Sequence, residues 1–367
     1  MKAAPGTATE LRMDWVLLVL VLLLCAIGLI NLASAAAVTE SRLHINQAIW
    51  MLLGAVVASA IASQDYKLLY RWSWAVYAAG CVLLLLVLWF GTTINGSRRW
   101  LTFGGASYQP SELLKLAIVF VTARYLADHE RPEGLGLRDL VVPFLLLGAP
   151  LALVLRQPDL GTSIVIALIF FTMLLFERLR WSTVVVLGAS LVAVLPLAWF
   201  YGLKPYQRER LTTFFNPEVD LQGSAWQVNQ SRIAIGSGEL LGKGWGQGTQ
   251  VQSGFVPYHE NDFIFAHHAE QFGFLGGVAL LALYLVVTLW ALRIARYGRD
   301  RFAVLVSVGV AALLFWHVAI NVAMVMGALP VVGLWLPLAS AGGSAVLTVM
   351  VGLGVLMSIS MRRHVFT

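Results

Sequence analysis

Asp262 ends a run of acidic and amide side chains, PYHEND (257–262), and the apolar FIFA (263–266) follows at once. A carboxylate at the lip of an apolar helix is costly unless it caps that helix or does chemistry. Partial burial would lift its pKa above the usual value of about 3.9. A second cluster, NGSRRWLTFGGASYQPSELLKLA (95–117), offers Arg98 and Arg99, whose planar forks suit phosphate, and Trp100, a belt residue or a platform for a sugar face. Snorkelling to headgroups is the plainer role for the two arginines. Further along, Ser111 reads as a helix cap with Glu112 in the first turn. Glu112 and Lys115 lie three apart on one helical face, so a salt bridge is expected; ionisable groups inside a span also mark a polar pocket. RQPDLGTS (156–163) reads as a turn with Asp159 capping the next helix. In SRIAIGSGELLGKGWGQGTQ (231–250), glycines 236, 238, 242, 244, 246 and 248 exclude a regular helix through 236–248. They would let backbone N–H groups and Lys243 approach an anion, although the GxxxxGK[ST] pattern is absent. His259, Glu260, His267, His268 and Glu270 crowd around Asp262, but His267 and His268 point to different helix faces, so no metal site is expected.

A membrane must position these groups. Of 367 residues, 59% are hydrophobic and 12% charged, against about 25% charged in soluble domains. Runs such as WVLLVLVLLLCAIGLI (15–30) lack the alternation of barrel strands, which leaves helices that satisfy their own backbone. The expected fold is an all-α polytopic membrane protein with about ten transmembrane helices, at 14–36, 46–63, 70–91, 111–128, 139–155, 161–177, 182–201, 263–292, 302–325 and 339–361. The first span is too long, and lacks a small-residue cleavage site, for a removable signal peptide. With the N-terminus inside, fifteen Lys and Arg fall on inner segments, four on short outer loops, five in the long outer loop 202–262 and one, Lys115, within a span. The positive-inside rule therefore puts both termini in the cytoplasm. The net charge of +6 is a topology signal scattered among loops, so no nucleic-acid partner is expected. Cys25 and Cys81 lie within spans as apolar fillers. The chain reads as one membrane domain, 1–367, with its chemistry on the outer face. In the long loop, Trp226, Ile233, Ile235, Leu240, Leu241 and Trp245 suggest short amphipathic helices at the interface.

Five motifs in order, NGSRRWL…QPSELLKLA, QPDLGT, SRIAIGSGELLGKGWGQGTQ, PYHENDFIFA…EQFGFLGG and NVAMVMGALPVVGL…LPLASAGGS, resemble the SEDS family (shape, elongation, division and sporulation), its elongation branch above its division branch. The likeness covers nearly the whole chain. Two motifs depart from the family pattern: Asn261 stands where a Thr is usual, and PLASAGGS (337–344) replaces Pro-Phe-x-Ser-Tyr-Gly-Gly-Ser. The resemblance implies a peptidoglycan glycosyltransferase. It would polymerise lipid II, a disaccharide-pentapeptide on undecaprenyl pyrophosphate, into β-1,4-linked strands at the outer face of the bacterial cytoplasmic (inner) membrane. A class B penicillin-binding protein would be its transpeptidase partner. The family's essential aspartate falls on Asp262, its Arg-Arg-Trp on Arg98, Arg99 and Trp100, and its intramembrane pair on Glu112 and Lys115. In that reading Asp262 takes the proton of the acceptor's 4-hydroxyl, the donor's anomeric centre inverts, and lipid pyrophosphate leaves. Arg98, Arg99, Lys243 or a bound divalent cation (Mg or Mn) would stabilise the leaving group. The rival classes are a lipid II flippase and a scaffold that only recruits the penicillin-binding protein. The polar features crowd one face rather than tracing a path across the bilayer, which favours the transferase.

Overall fold

The computed structural model describes residues 13–38, 41–94, 97–103, 106–202, 205–215 and 223–362. The apolar runs form helices α1 (Trp15–Val38), α2 (Leu43–Ser63) and α3 (Lys67–Phe90). Three short strands follow, β1 (Thr92–Ile94), β2 (Ser97–Phe103) and β3 (Ala106–Tyr108). Next come α4 (Pro110–Asp128), α5 (Val141–Arg156), α6 (Leu160–Leu175) and α7 (Trp181–Leu197). The long loop carries α8 (Pro205–Phe215), α9 (Ser224–Ser237) and the single turn α10 (Thr249–Gln252). The chain then returns through α11 (Ile264–Arg296), α12 (Arg301–Val325) and α13 (Gly343–Arg362).

The protein is a polytopic helical membrane protein. Among the described residues, seven helical stretches are long and apolar enough to cross a bilayer, α5 counting with the turn Leu137–Leu140 that leads into it, and α6 and α7 are shorter apolar helices. α4 has the length of a span but carries Glu112, Lys115, Arg124 and Asp128. These ten helices correspond to the ten expected spans. α12 and α13 are buried over 72% and 78% of their most apolar stretches, while α2 and α3 are buried over only 22%. The former are therefore the centre of the bundle, with α4 against α12, and the latter lie on its outside, α2 packed on α13 and α3 on α4.

Four local features differ from expectation. The chain is not purely α: β1–β2–β3 form an antiparallel sheet, with Thr93 opposite Arg98 and Thr102 opposite Ser107. Its short alternating stretch TTI…SRRWLTF…ASY is too brief to stand out beside the spans. Ser111 does not cap α4; Gln109 occupies that position and Pro110 takes the first helical turn, where its missing N–H costs nothing. The last span begins at Gly343 rather than 339, because residues 326–342 run as an irregular segment with Gly327 and Gly333 at positive φ. Finally, α11 breaks at Gly273 (φ 67°, ψ −165°).

The break in α11 is mended by the glycine-rich loop. Phe274 N donates to Glu239 O (2.8 Å) and Leu275 N to Leu240 O (3.1 Å). In return Lys243 N donates to Glu270 O and Gly244 N to Gln271 O, both at 3.0 Å. The loop thus replaces the helix bonds that the kink removes, groups that would be costly if left unpaired near a bilayer. The approach is so close that a Cβ on Gly242 would collide with the Gln271 carbonyl and one on Gly273 with Gly242 N.

Candidate active site

A cavity of about 740 Å³ opens at the end of the bundle where α4 and α6 begin. Its walls come from β2, the starts of α4 and α6, α8, the loop before α11 and the segment 330–345.

Asp262 lines this cavity. It does not cap α11: Phe263 holds the N-cap position, and no side chain caps that helix. Its main chain is fixed from outside its own element. Asn321, fully buried on α12, donates from Nδ2 to Asp262 O (2.8 Å) and to Leu334 O (2.6 Å). Next to it, Ser340 Oγ donates to Asn261 O (2.7 Å) and Ala341 N to Glu260 O (2.9 Å). Gly333, whose φ of 71° favours glycine, passes beside the carboxylate: a Cβ there would lie in ordinary contact, 3.5 Å from Asp262 Oδ2. Burial pushes Asp262 up from 3.8 to about 6; Arg210 opposes that rise, and Asp159 and Glu260 add to it. The result is a carboxylate ionised at neutral pH and still basic enough to take a proton.

Of the anticipated residues, Arg99, Trp100 and Glu112 line the same cavity. Arg99 is turned onto the loop before α6: Nε donates to Gln157 O (3.1 Å), Nη2 to Pro158 O, and Nη1 lies 3.6 Å from Asp159 Oδ1. Asp159 caps α6 as expected, accepting from Thr162 N (3.1 Å). Lys115 pairs with Glu112 at 2.9 Å, both buried, and its ammonium donates to His317 Nε2 (2.9 Å). His317 in turn stacks on Trp335, ring centroids 3.9 Å apart.

Two anticipated residues lie elsewhere. Arg98 is on the outer side of β2, where Nη1 donates to Leu88 O (3.3 Å) at the end of α3, and it does not line the cavity. Lys243 is likewise off the cavity. It bonds Glu270 Oε1 (2.8 Å) and Thr249 Oγ1 (2.7 Å), and the fully buried Glu270 also accepts from Gln250 N and Val251 N. Loop and lysine serve the mended helix instead of cradling an anion, because the backbone N–H groups of Lys243 and Gly244 already donate to Glu270 and Gln271. Among the described residues, no three His, Cys, Asp or Glu side chains come together to hold a metal ion. Besides Asp262, the carboxylates on the cavity wall are already engaged: Glu112 is paired to Lys115, and Asp159 to Arg99 and the end of α6.

The cell cycle protein family of FtsW, RodA and SpoVE matches residues 14–365. The chain belongs to this family, the SEDS proteins. The peptidoglycan glycosyltransferase MrdB of Escherichia coli K12 is 38% identical, over 86% of this chain and 85% of MrdB. The peptidoglycan glycosyltransferase RodA of Treponema pallidum is 32% identical, over 95% and 98%. Among solved structures, a chain of a peptidoglycan synthase complex superposes with a TM-score of 0.83 at 31% identity, covering 96% of this chain and 99% of that one. Thermus thermophilus RodA superposes with a TM-score of 0.72 at 28% identity, over 97% and 99%. Of the positions that depart from the usual SEDS pattern, Asn261 and Ala341 lie on the cavity wall, while Leu338 is buried away from it. Three residues of this SEDS chain escaped the reading of the sequence. Arg210 of α8 lines the cavity, its Nη1 donating to Val331 O (3.1 Å), yet in sequence it is one of several loop cations. Asn321 and His317 are polar groups within an apolar span, and that alone is a signal of function or of structural pairing.

Proposed function

We infer that the chain is a peptidoglycan glycosyltransferase of the elongation type, polymerising lipid II into β-1,4-linked glycan at the outer face of the bacterial cytoplasmic membrane. The glycosyltransferase names of its relatives support the reaction class. The observation that carries the site is Asp262: a carboxylate free of capping duty, clamped by Asn321 into a cavity at the end of the bundle. Its substrate would be half lipid and half sugar, so the bond to be changed sits at the membrane surface, and the base must sit there too.

In this mechanism Asp262 accepts the proton of the 4-hydroxyl on the acceptor's N-acetylglucosamine. The oxygen attacks the anomeric carbon of the donor's N-acetylmuramic acid. The bond from that carbon to the pyrophosphate breaks, its electron pair leaves with undecaprenyl pyrophosphate, and the α-linkage becomes β. A positioned base contributes about 10²–10⁴-fold to such a step. Arg210, the cation that most opposes the rise in Asp262's pKa, and Arg99 are the groups for the departing charge. Trp100, Glu112 and Lys115 shape and hold the substrate pocket. The peptidoglycan synthase complex among the structural neighbours supports a class B penicillin-binding protein as partner. The distribution of Lys and Arg supports cytoplasmic termini.

The test is polymerisation of lipid II in liposomes by the chain with its partner, wild type beside Asp262→Asn, read as glycan strands on a gel. Strands from wild type alone are expected. Strands from the Asn variant would remove Asp262 from the role of base. Lipid II crossing between leaflets with no strands from either protein would replace the reading with a flippase.

A further inference from the structure

Trp335 lines the cavity together with Asp262 and Glu112, in a segment that the mechanism above leaves without a task. One face of its ring is taken. His317 stacks on it with centroids 3.9 Å apart and planes at 25°. Lys115 Nζ lies 4.9 Å from the ring centroid and 2.9 Å from His317 Nε2, which places it on the same side as the imidazole. His317 and Lys115 are 0% and 1% exposed, so that side is protein interior. Trp335 itself is only partly buried, and its opposite face is left to the cavity. Its Nε1 is buried without a hydrogen-bond partner, so the ring offers the cavity its apolar surface.

The ring is also held at both ends of its residue. Leu334 O accepts from Asn321 (2.6 Å), Leu336 N donates to Ser340 Oγ (2.7 Å), and Trp335 O faces His317 Nδ1 (3.4 Å). Because Lys115 has only donors, His317 Nε2 must accept from it, which leaves the imidazole proton on Nδ1, facing Trp335 O. Asn321, which fixes Leu334, also fixes the Asp262 carbonyl (2.8 Å). The aromatic face and the carboxylate are therefore set in one frame by a single buried side chain.

We propose that Trp335 is a stacking platform for a pyranose ring of the lipid-linked substrate, a role that rests on the glycosyltransferase reading above. A flat aromatic face carries negative quadrupolar charge and attracts the partly positive C–H groups of a sugar's apolar face. It repels a diphosphate. A polyprenyl chain would also cover the face, but Asn321 sets this ring in one frame with Asp262, where the groups that react are sugars. A platform backed by His317 and Lys115 loses little freedom on binding, which favours affinity.

The experiment uses the full chain in nanodiscs with its partner and compares wild type, Trp335→Leu and Trp335→Phe. Equilibrium binding is measured for lipid II and for undecaprenyl pyrophosphate, which has no sugar; KM and kcat are read from strand synthesis. Trp335→Leu should weaken lipid II about three- to tenfold, the range of one aromatic contact, through KM rather than kcat. Binding of undecaprenyl pyrophosphate should be unchanged. Trp335→Phe keeps a ring and should recover most of the loss, and it carries the test if the Leu variant folds poorly. An equal loss for both ligands, or no loss for lipid II, overturns the platform. Wild type that binds lipid II but makes no strands would count against the glycosyltransferase reading, while the binding comparison still reads Trp335.

Discussion

Acidification should silence the enzyme along a curve set by the surroundings of Asp262. Burial moves this carboxyl from 3.8 to about 6, and a base works only when ionised. At about pH 7 roughly nine-tenths of the enzyme carries the carboxylate, and at about pH 5 roughly one-tenth does. The acid limb of kcat/KM, which reports the free enzyme, should therefore fall about tenfold per unit below about pH 6. Two neighbours test the cause in opposite directions. Arg210 lowers the value, so Arg210→Gln should move the limb to higher pH; Glu260 raises it, so Glu260→Gln should move it to lower pH. Stability should follow the same group with a fixed sign. The folded value lies above the unfolded one, so the carboxyl favours the fold fully below about pH 4 and loses that contribution as pH rises through about 6. Asp262→Asn should thus be more stable than wild type at neutral pH by about 1–3 kcal/mol, with the gap closing near pH 4. The upper end of that range follows from about two pKa units, and the cavity's own water reduces it. Lipid II polymerisation across the pH range and thermal melts at both ends would measure this. A limb near pH 4, or one that stays in place in Arg210→Gln, refutes the assignment of base and environment.

Other perturbations separate structural from substrate roles. Lys115→Met strands Glu112, which is 2% exposed, and should cost about 3–5 kcal/mol, with Glu112→Gln in the same chain restoring most of it in thermal melts. Lys243→Met removes the lysine from the fully buried Glu270 and should lower the melting temperature while leaving KM for lipid II unchanged; a raised KM would return Lys243 to the site. Gly242→Ala, at φ +82° and against the Gln271 carbonyl, should break the mended helix and speed hydrogen exchange at the Phe274 and Leu275 amides.

The spans were legible because a bilayer leaves apolar helices few alternatives, and Asp262 because a carboxylate at such a boundary needs a reason. Glu112 and Lys115 pair as their spacing required, since three residues of helix bring them together whatever the tertiary fold. Long-range placement was not legible. Arg98 and Arg99 are neighbours in sequence, yet strand alternation sends one to the end of α3 and the other to the cavity. Lys243 looked like an anion ligand because nothing local reveals that α11 breaks at Gly273 and draws the loop's N–H groups to itself. Arg210, Asn321 and Trp335 act through partners more than 10 residues away, in contacts that no local pattern encodes.

The clamp on Asp262 has a consequence for biosynthesis. The bonds that hold residues 260–262 come from Asn321, Ser340 and Ala341, and the same late segment is tied back to α2, where Gln47 Nε2 donates to Ser340 O (2.9 Å) and Gly342 N to Gln47 Oε1 (3.1 Å). A chain emerging from the ribosome N-terminus first makes its carboxylate long before the groups that aim it. Nascent polypeptide with seven or eight helices inserted therefore has the aspartate but no assembled active centre. Activity arises only when the last membrane segment is delivered and the far ends of the chain meet, so the growing enzyme is silent toward cell-wall precursors until its synthesis is nearly done.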